Sequence, residues 1–237
     1  MGAGAVKTRS RCWPAVLVAL AMAPALGWSQ GFSTCGNLGN AYGPFDYRQP
    51  FPEQKHLVES AHFTPVVEAL IRGTTNRNPG TDIDYTLRAF PNHHRALIAT
   101  IRLGEKENSP QPGRMRYTVE CWLERAVRFQ PEDVIVRMIR SGYFVKKGRV
   151  ADALADLKVV EALAGDNPFT HYNLGLSYLE AGEWDKALAQ AHRAEALGMQ
   201  RAELKEKLQE AGRWRDPDPA ALAAQAAAAS AAAASAP

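Results

Sequence analysis

Two stretches of this chain repeat one another at a fixed distance. Residues 151–163 (ADALADLKVVEAL) and 185–197 (DKALAQAHRAEAL) lie 34 positions apart and agree at 6 of 13 places. The correspondence continues outside them, with Phe144 mapping to Tyr178 and Gly148 to Gly182. A fixed period in this range marks a solenoid, in which one helix pair cannot bury its apolar face alone and must stack on a neighbour. The repeat fixes an architecture more firmly than an activity.

The first residues read as something other than a domain. Lys7, Arg9 and Arg11 form a basic segment, and Trp13 to Leu26 is apolar and uncharged. Ala25 and Gly27 then place small residues at the minus-three and minus-one sites of a cleavage point. These are the parts of a secretory signal peptide over residues 1–27. A membrane span is the rival reading, but the apolar stretch falls short of the roughly 20 residues a span needs and contains Pro14 and Pro24. There is no paired arginine, which points to the general export route. Phe32-Ser33-Thr34 before Cys35 does not match a lipoprotein acylation box. The expected location is the periplasm or the outside of the cell, with no stable membrane span after leader cleavage.

Removing the leader changes both the charge and the cysteine count. The chain carries 28 Lys+Arg and 25 Asp+Glu, and three of the basic residues lie in the leader, so 25 of each sign remain. A neutral mature chain without a basic stripe interleaved with aromatics offers nucleic acid no footprint. Cys12 leaves with the leader, and Cys35 and Cys121 remain. An even pair in an exported chain points to one bridge. Such a bridge would close a loop of 86 residues, worth roughly 4–5 kcal/mol in the chain-entropy model. The alternative is two separate thiols, one buried in a helix.

Residues 28–92 read as an irregular and helical segment. Gly31 to Pro50 is rich in turn formers. Pro52 to His62 is a short helix with Pro in its first turn. Thr64-Pro65 starts a helix over Val66 to Arg72 that closes on Gly73. Gly73 to Thr81 is a loop, and Ile83 to Phe90 is helical up to Pro91. Asn92 caps a helix over His93 to Leu103, with Leu97, Ile98, Thr100 and Ile101 on its inward stripe.

Residues 93–213 hold three helix pairs and a last helix. The first pairs His93–Leu103 with Tyr117–Phe129, across a charged insert from Gly104 to Gly113. The second pairs Val134–Lys146 with Val150–Leu163, turning at Gly148. The third pairs Phe169–Glu180 with Trp184–Leu197, turning at Gly182. Arg201 to Ala211 is a partnerless helix with Leu204, Leu208 and Ala211 on one face, as a capping element requires. Residues 214–237 form a low-complexity, Ala-rich tail with little to bury.

The segment Leu174-Gly175-x-x-Tyr178, with Gly182, Ala187 and Ala194, resembles a tetratricopeptide repeat. Small residues there let two helices cross closely. The preceding repeat keeps Phe144, Gly148, Ala153 and Leu157 but has Arg140-Ser141 where the family prefers Leu-Gly. The third has Ala191 where a large aromatic is usual, and the first is degenerate. Gly43 to Arg48 (GPFDYR), His62 to Pro65 (HFTP) and Phe90 to Leu97 (FPNHHRAL) are further landmarks, and with the repeats they resemble a group of small exported bacterial proteins. The resemblance implies a short all-α superhelix, and it is almost silent on function.

The resemblance also implies a binding groove along the first helix of each pair. Its positions fall on Arg95, Ile98 and Arg102 in the first repeat, and on Ile135, Met138, Gly142 and Val145 in the second. In the third they fall on Phe169, Tyr172, Leu176 and Leu179, with Asn173 beside them. Such a face, apolar in the middle and basic at one end, suits a peptide or partner helix of the cell envelope, unless residues 52–90 fold over it. Only Asn173 matches the Lys/Asn clamp with which some members hold a peptide carboxylate, so that mode is rejected. The alternative is an enzyme, or a small-ligand or metal binder, centred on His93 and His94 with His62, Asp82 and Asp84. Against it, adjacent helical histidines point about 100° apart. There is no Cys-x-x-Cys, haem-attachment motif, phosphate loop or nucleophile elbow. The chain is expected to be non-catalytic, without metal or cofactor, with the bland role of one His capping or packing at a repeat junction and the other facing solvent.

Overall fold

The computed structural model describes residues 1–2 and 35–217. Residues 3–34, with all but the first two residues of the expected leader, and residues 218–237 of the tail lie outside the described residues. The chain separates into residues 1–32 and residues 33–237, and the second unit carries the repeats. Among the described residues it is all-α, with ten helices and no strand: α1 (Pro52–His62), α2 (Pro65–Glu68), α3 (Gly80–Ala89), α4 (His94–Glu107), α5 (Val119–Phe129), α6 (Val134–Lys146), α7 (Val150–Leu163), α8 (Pro168–Glu180), α9 (Trp184–Ala196) and α10 (Glu203–Glu210).

The helices form antiparallel hairpins, α4/α5, α6/α7 and α8/α9, closed by α10. Helices α4, α6, α8 and α10 pack on one another in series, and α5, α7 and α9 pack on the helices of that first row. The α6/α7 and α8/α9 turns each use a glycine in the left-handed region, Gly148 at φ 72° and Gly182 at φ 79°. Arg149 N–H then closes on Phe144 O, and Glu183 N–H on Tyr178 O, both at 2.9 Å. These are equivalent C-terminal caps, each satisfying carbonyls the helix would leave orphaned. The helix starts correspond too. Asp133 accepts from the N–H groups of Ile135 and Val136, and Asn167 from those of Phe169 and Thr170.

Two apolar cores run through the stack. One joins α2 to the first turns of α7 through Phe63, Val67, Leu97, Trp122, Leu123, Val136 and Phe144. The other joins α7 to α10 through Leu157, Leu174, Tyr178, Leu204 and Leu208. Close packing at the second needs Gly175, because a Cβ there would stand 2.4 Å from Leu204 Cδ2. Ala211, expected beside Leu204 and Leu208, is exposed at the end of α10.

The N-terminal part departs from expectation in three places. The helix expected over Val66 to Arg72 is a single turn, α2. Leu70, not Gly73, takes the left-handed conformation (φ 58°), which turns its side chain into the core beside Val67. Asn92 does not cap α4. His93 does, its Nδ1 accepting from Ala96 N–H at 3.1 Å. Ile98 lies off the inward stripe and is 41% exposed, whereas Leu97, Thr100 and Ile101 are buried.

Cys35 and Cys121 form a disulfide. It holds the lead-in on α5, where Arg125 Nη1 donates to Cys35 O (2.8 Å) and Asn37 O (2.6 Å). Arg125 is buried with its guanidinium over the rings of Tyr117 and Trp122. From there the lead-in crosses the end of α3, where Phe45 N–H bonds Ala89 O at 2.8 Å. Gly43 permits that approach, since a Cβ would meet Ala89 O at 2.5 Å.

Candidate functional site: an open face and a polar joint

The twelve residues assigned to the groove are not all on one surface. Ile98, Arg102 and Met138 line a cleft of about 350 Å³ between α4 and α6, together with Ile101, Ile139, Gly142, Tyr143, Lys146 and Glu180. A smaller recess of about 170 Å³ shares Ile101, Tyr143 and Lys146 with it and continues toward Glu105, Pro110 and Lys147. Phe169 is 58% exposed at the start of α8, and Ile135 at the start of α6 is 36% exposed. Leu176 and Asn173 are half-buried on α8, and Leu176 and Met138 pack on the C-terminal core.

Two of them, Tyr172 and Arg95, are engaged elsewhere. Tyr172 is buried. Its hydroxyl donates to Glu203 at 3.2 Å and Arg201 lies over its ring, so α10 covers it. Burial, then that hydrogen bond, pushes its phenol pKa up. Arg95 is held by the Glu68 carboxylate through both Nε and Nη2, and its guanidinium rests over Phe63. The groove helices present different faces because α2 occupies the N-terminal end and α10 the C-terminal end.

The cleft charges are mixed. Arg102, Lys146 and Lys147 stand against Glu105 and Glu180, with Lys146 paired to Glu105 at 2.8 Å. Arg102 is exposed and has no hydrogen bond or ion pair among the described residues. Sequence reasoning passed over Tyr143, Lys146 and Glu180. The repeat carried a signal for two of them: Lys146 and Glu180 are 34 positions apart and reach the same cleft.

The histidines of the rival site each face a carboxylate. His93 is buried, and its Nε2 lies 3.0 Å from Glu59 Oε1. Because Nδ1 accepts from Ala96, the proton sits on Nε2 and is donated to Glu59. The ring stacks on Tyr47 at 4.1 Å. Burial pushes its pKa down, against the pull of Glu59. His94 does not face solvent alone. Its Nε2 is 3.0 Å from Asp133 Oδ2. His62 Nδ1 is 3.0 Å from Asp82 Oδ1, and Asp84 instead binds Arg88. Among the described residues, no group of three or more His, Cys, Asp or Glu side chains is placed to hold a metal ion.

Asp133 is the centre of a joint that ties the lead-in to the repeats. Asn92 Nδ2 donates to both Asp46 Oδ1 (2.7 Å) and Asp133 Oδ2 (2.9 Å), and Asn92 Oδ1 accepts from Tyr47 N–H. Arg48 pairs with Asp46 (2.8 Å), approaches Asp133 (3.6 Å) and donates to Gln130. Burial raises the pKa of Asp46, but hydrogen bonds from Arg48 and Asn92 outweigh it and bring it to about 2. The same competition leaves Asp133 below its ordinary value, burial being overcome by His94 and then Asn92. The landmarks GPFDYR and FPNHHRAL are therefore the two sides of one junction, with Tyr42, Phe45 and Tyr47 packed on Phe90. No family model matches the chain, and no curated protein does.

Proposed function

We propose that this is an exported, non-catalytic interaction module of the tetratricopeptide type, which holds a peptide or partner helix of a cell-envelope protein on the open face of α4, α6 and α8. One observation carries the reading. The N-terminal helices pack on α4 and on each other, and Ile98, Ile135 and Phe169 remain exposed along the first row of helices. Exposed apolar side chains on successive helices of one row favour a partner that removes them from water. Export is supported by the leader sequence and by the Cys35–Cys121 bridge, which belongs in an oxidising compartment. Among the described residues no helix is long and apolar enough to cross a membrane.

Photo-crosslinking from single positions in cells tests the proposal. A crosslinker at Ile98 or Met138 should give discrete adducts with envelope proteins, and one at Lys158, exposed on α7, should not. Ile98→Glu with Met138→Glu should remove the adduct formed from a crosslinker at Phe169 while leaving helical circular dichroism unchanged. Equal labelling from Lys158, or adducts that survive the double substitution, would remove the face from consideration.

A further inference from the structure

A second concavity lies away from the open face, between α1 and α3. Its volume is about 250 Å³, and it is lined by Tyr42, Leu57, Val58, Ala61, His62 and Tyr85. Five of those six side chains present mostly carbon. A space of that size is small for a drug-like ligand but ample for one ring, since a lined apolar cavity of about 150 Å³ already takes benzene.

The sixth residue, His62, is held in one orientation and one tautomer. Asp82 is fully buried and anchors it. Asp82 Oδ2 accepts from Thr74 N–H (2.8 Å) and Thr75 N–H (3.3 Å). Asp82 Oδ1 accepts from the Thr75 hydroxyl (3.1 Å) and faces His62 Nδ1 at 3.0 Å. An ionised carboxylate only accepts, so His62 Nδ1 donates, and in the neutral ring Nε2 presents a lone pair. The imidazole is also stacked on Tyr85 at 4.0 Å, and Arg88 lies over that tyrosine ring. Gly73 lets the 73–78 loop close on the carboxylate, because a Cβ there would sit 2.7 Å from Asp82 Oδ2. Among the described residues Nε2 has no hydrogen-bond partner.

A hydrogen-bond acceptor fixed this firmly is more than the loop requires. Tying the loop would need only Asp82, which already takes three donors from it. The ring adds an oriented acceptor to an apolar, aromatic wall, which is how small-ligand sites set orientation. We propose that this pocket binds a single-ring phenol, with its hydroxyl donating to His62 Nε2 and its ring against Val58 and Tyr85. A ligand of the same shape without the donor leaves the acceptor unpaired in an apolar site and binds less well.

The experiment is a titration of the ¹⁵N-labelled full chain with phenol, anisole and toluene, following the His62 ring nitrogens. Phenol should shift Nε2 saturably and bind roughly tenfold or more tighter than anisole or toluene. His62→Phe keeps the stacking on Tyr85 and removes the acceptor, so the three probes should then bind alike. Ala61→Leu fills the pocket and should abolish the phenol shift with His62 intact. Equal affinity for phenol and anisole in the unmodified chain, no saturable shift, or phenol binding undiminished in Ala61→Leu would each overturn the proposal. The comparison of probes on the unmodified chain decides even if His62→Phe does not fold.

Discussion

The hairpins α6–α9 and the N-terminal joint use the same kinds of bond under different rules. In the hairpins one polar tie recurs 34 positions on. Arg137 meets Asp156 across the first hairpin at 2.9 Å, and His171 meets Gln190 across the second at 2.7 Å. Residue types change while the position persists, so an Arg–Asp pair in one repeat is a His–Gln hydrogen bond in the next. In the joint only the cap made by Asp133 recurs, at Asn167. Asp46, Arg48, Asn92, His94 and Asp133 come from distant segments and share one set of bonds. Repeated ties spread stability over nearest-neighbour contacts. A shared network concentrates it, so that losing one member strands several buried groups.

Asp133 and Asn167 test that contrast directly, because they hold the same repeat position. Asn167 caps α8 and nothing more. Asp133 caps α6 and also binds His94, Asn92 and Arg48. Asp133→Ala should cost about 3–5 kcal/mol, as breaking a buried charged network does. Asn167→Ala should cost about 1 kcal/mol, the worth of a cap. Urea denaturation of both variants gives the two numbers, and similar losses would mean that the joint adds nothing beyond capping.

The disulfide should rank next. Replacing Cys35 and Cys121 by alanine should lose about 2–5 kcal/mol. Hydrogen exchange should quicken first at residues 36–48, with α8 and α9 unchanged. Simultaneous loosening of α8 and α9 would break the division into two regions. A smaller pair of substitutions sharpens it: Gly148→Ala and Gly182→Ala should each cost about 1–2 kcal/mol, because both place a Cβ in the left-handed region. Unequal costs would show that the turns are less alike than their hydrogen bonds.

The same division explains what the sequence disclosed. The bounds of α6, α7, α8 and α9 were legible within a residue, because the 34-residue period, the turn glycines and the small crossing residues all act locally. The Cys35–Cys121 pairing was legible from compartment and parity. Three features depended on distant partners. Asn92 looks like a cap, yet Asp46 and Asp133 together claim its amide, and His93 takes the cap because burial keeps its imidazole neutral. Leu70 overrides Gly73 because its side chain fills the core. Tyr172 looks like a groove residue until α10 folds over it. GPFDYR and FPNHHRAL were visible as landmarks, but a one-dimensional reading gives no reason to join Tyr47 to Asn92, 45 residues away.

The smallest expected effect is in the pH dependence, and its acid arm distinguishes the joint from the hairpins. Asp46 and Asp133 have folded pKa values below the ordinary carboxylate value of 3.8. Their contribution is complete above that value and is lost as pH falls toward about 2, where Asp46 takes its proton even in the folded chain. His93, pushed below 6.5 by burial, acts in the same direction from a higher start: its contribution is complete above 6.5 and declines as pH falls below it. Tyr178 in α8 has a raised pKa, from burial and then its bond to Glu161. Its contribution holds below 10 and is lost as pH rises above that, and Tyr47 in the joint behaves likewise. The alkaline arm therefore belongs to both regions, and the acid arm to the joint together with Glu59 and Glu68, whose carboxyls are also held below the ordinary value by hydrogen bonds from His93 and Arg95. Asp46→Asn should flatten the acid arm of a stability-against-pH curve between about pH 4 and 2, while Tyr178→Phe changes only the alkaline arm. Exchange at residues 45–48 should respond to acid before exchange in α8 and α9. An acid transition in which all these amides are exposed together, and which Asp46→Asn leaves unmoved, would mean that the joint does not titrate as a separate unit.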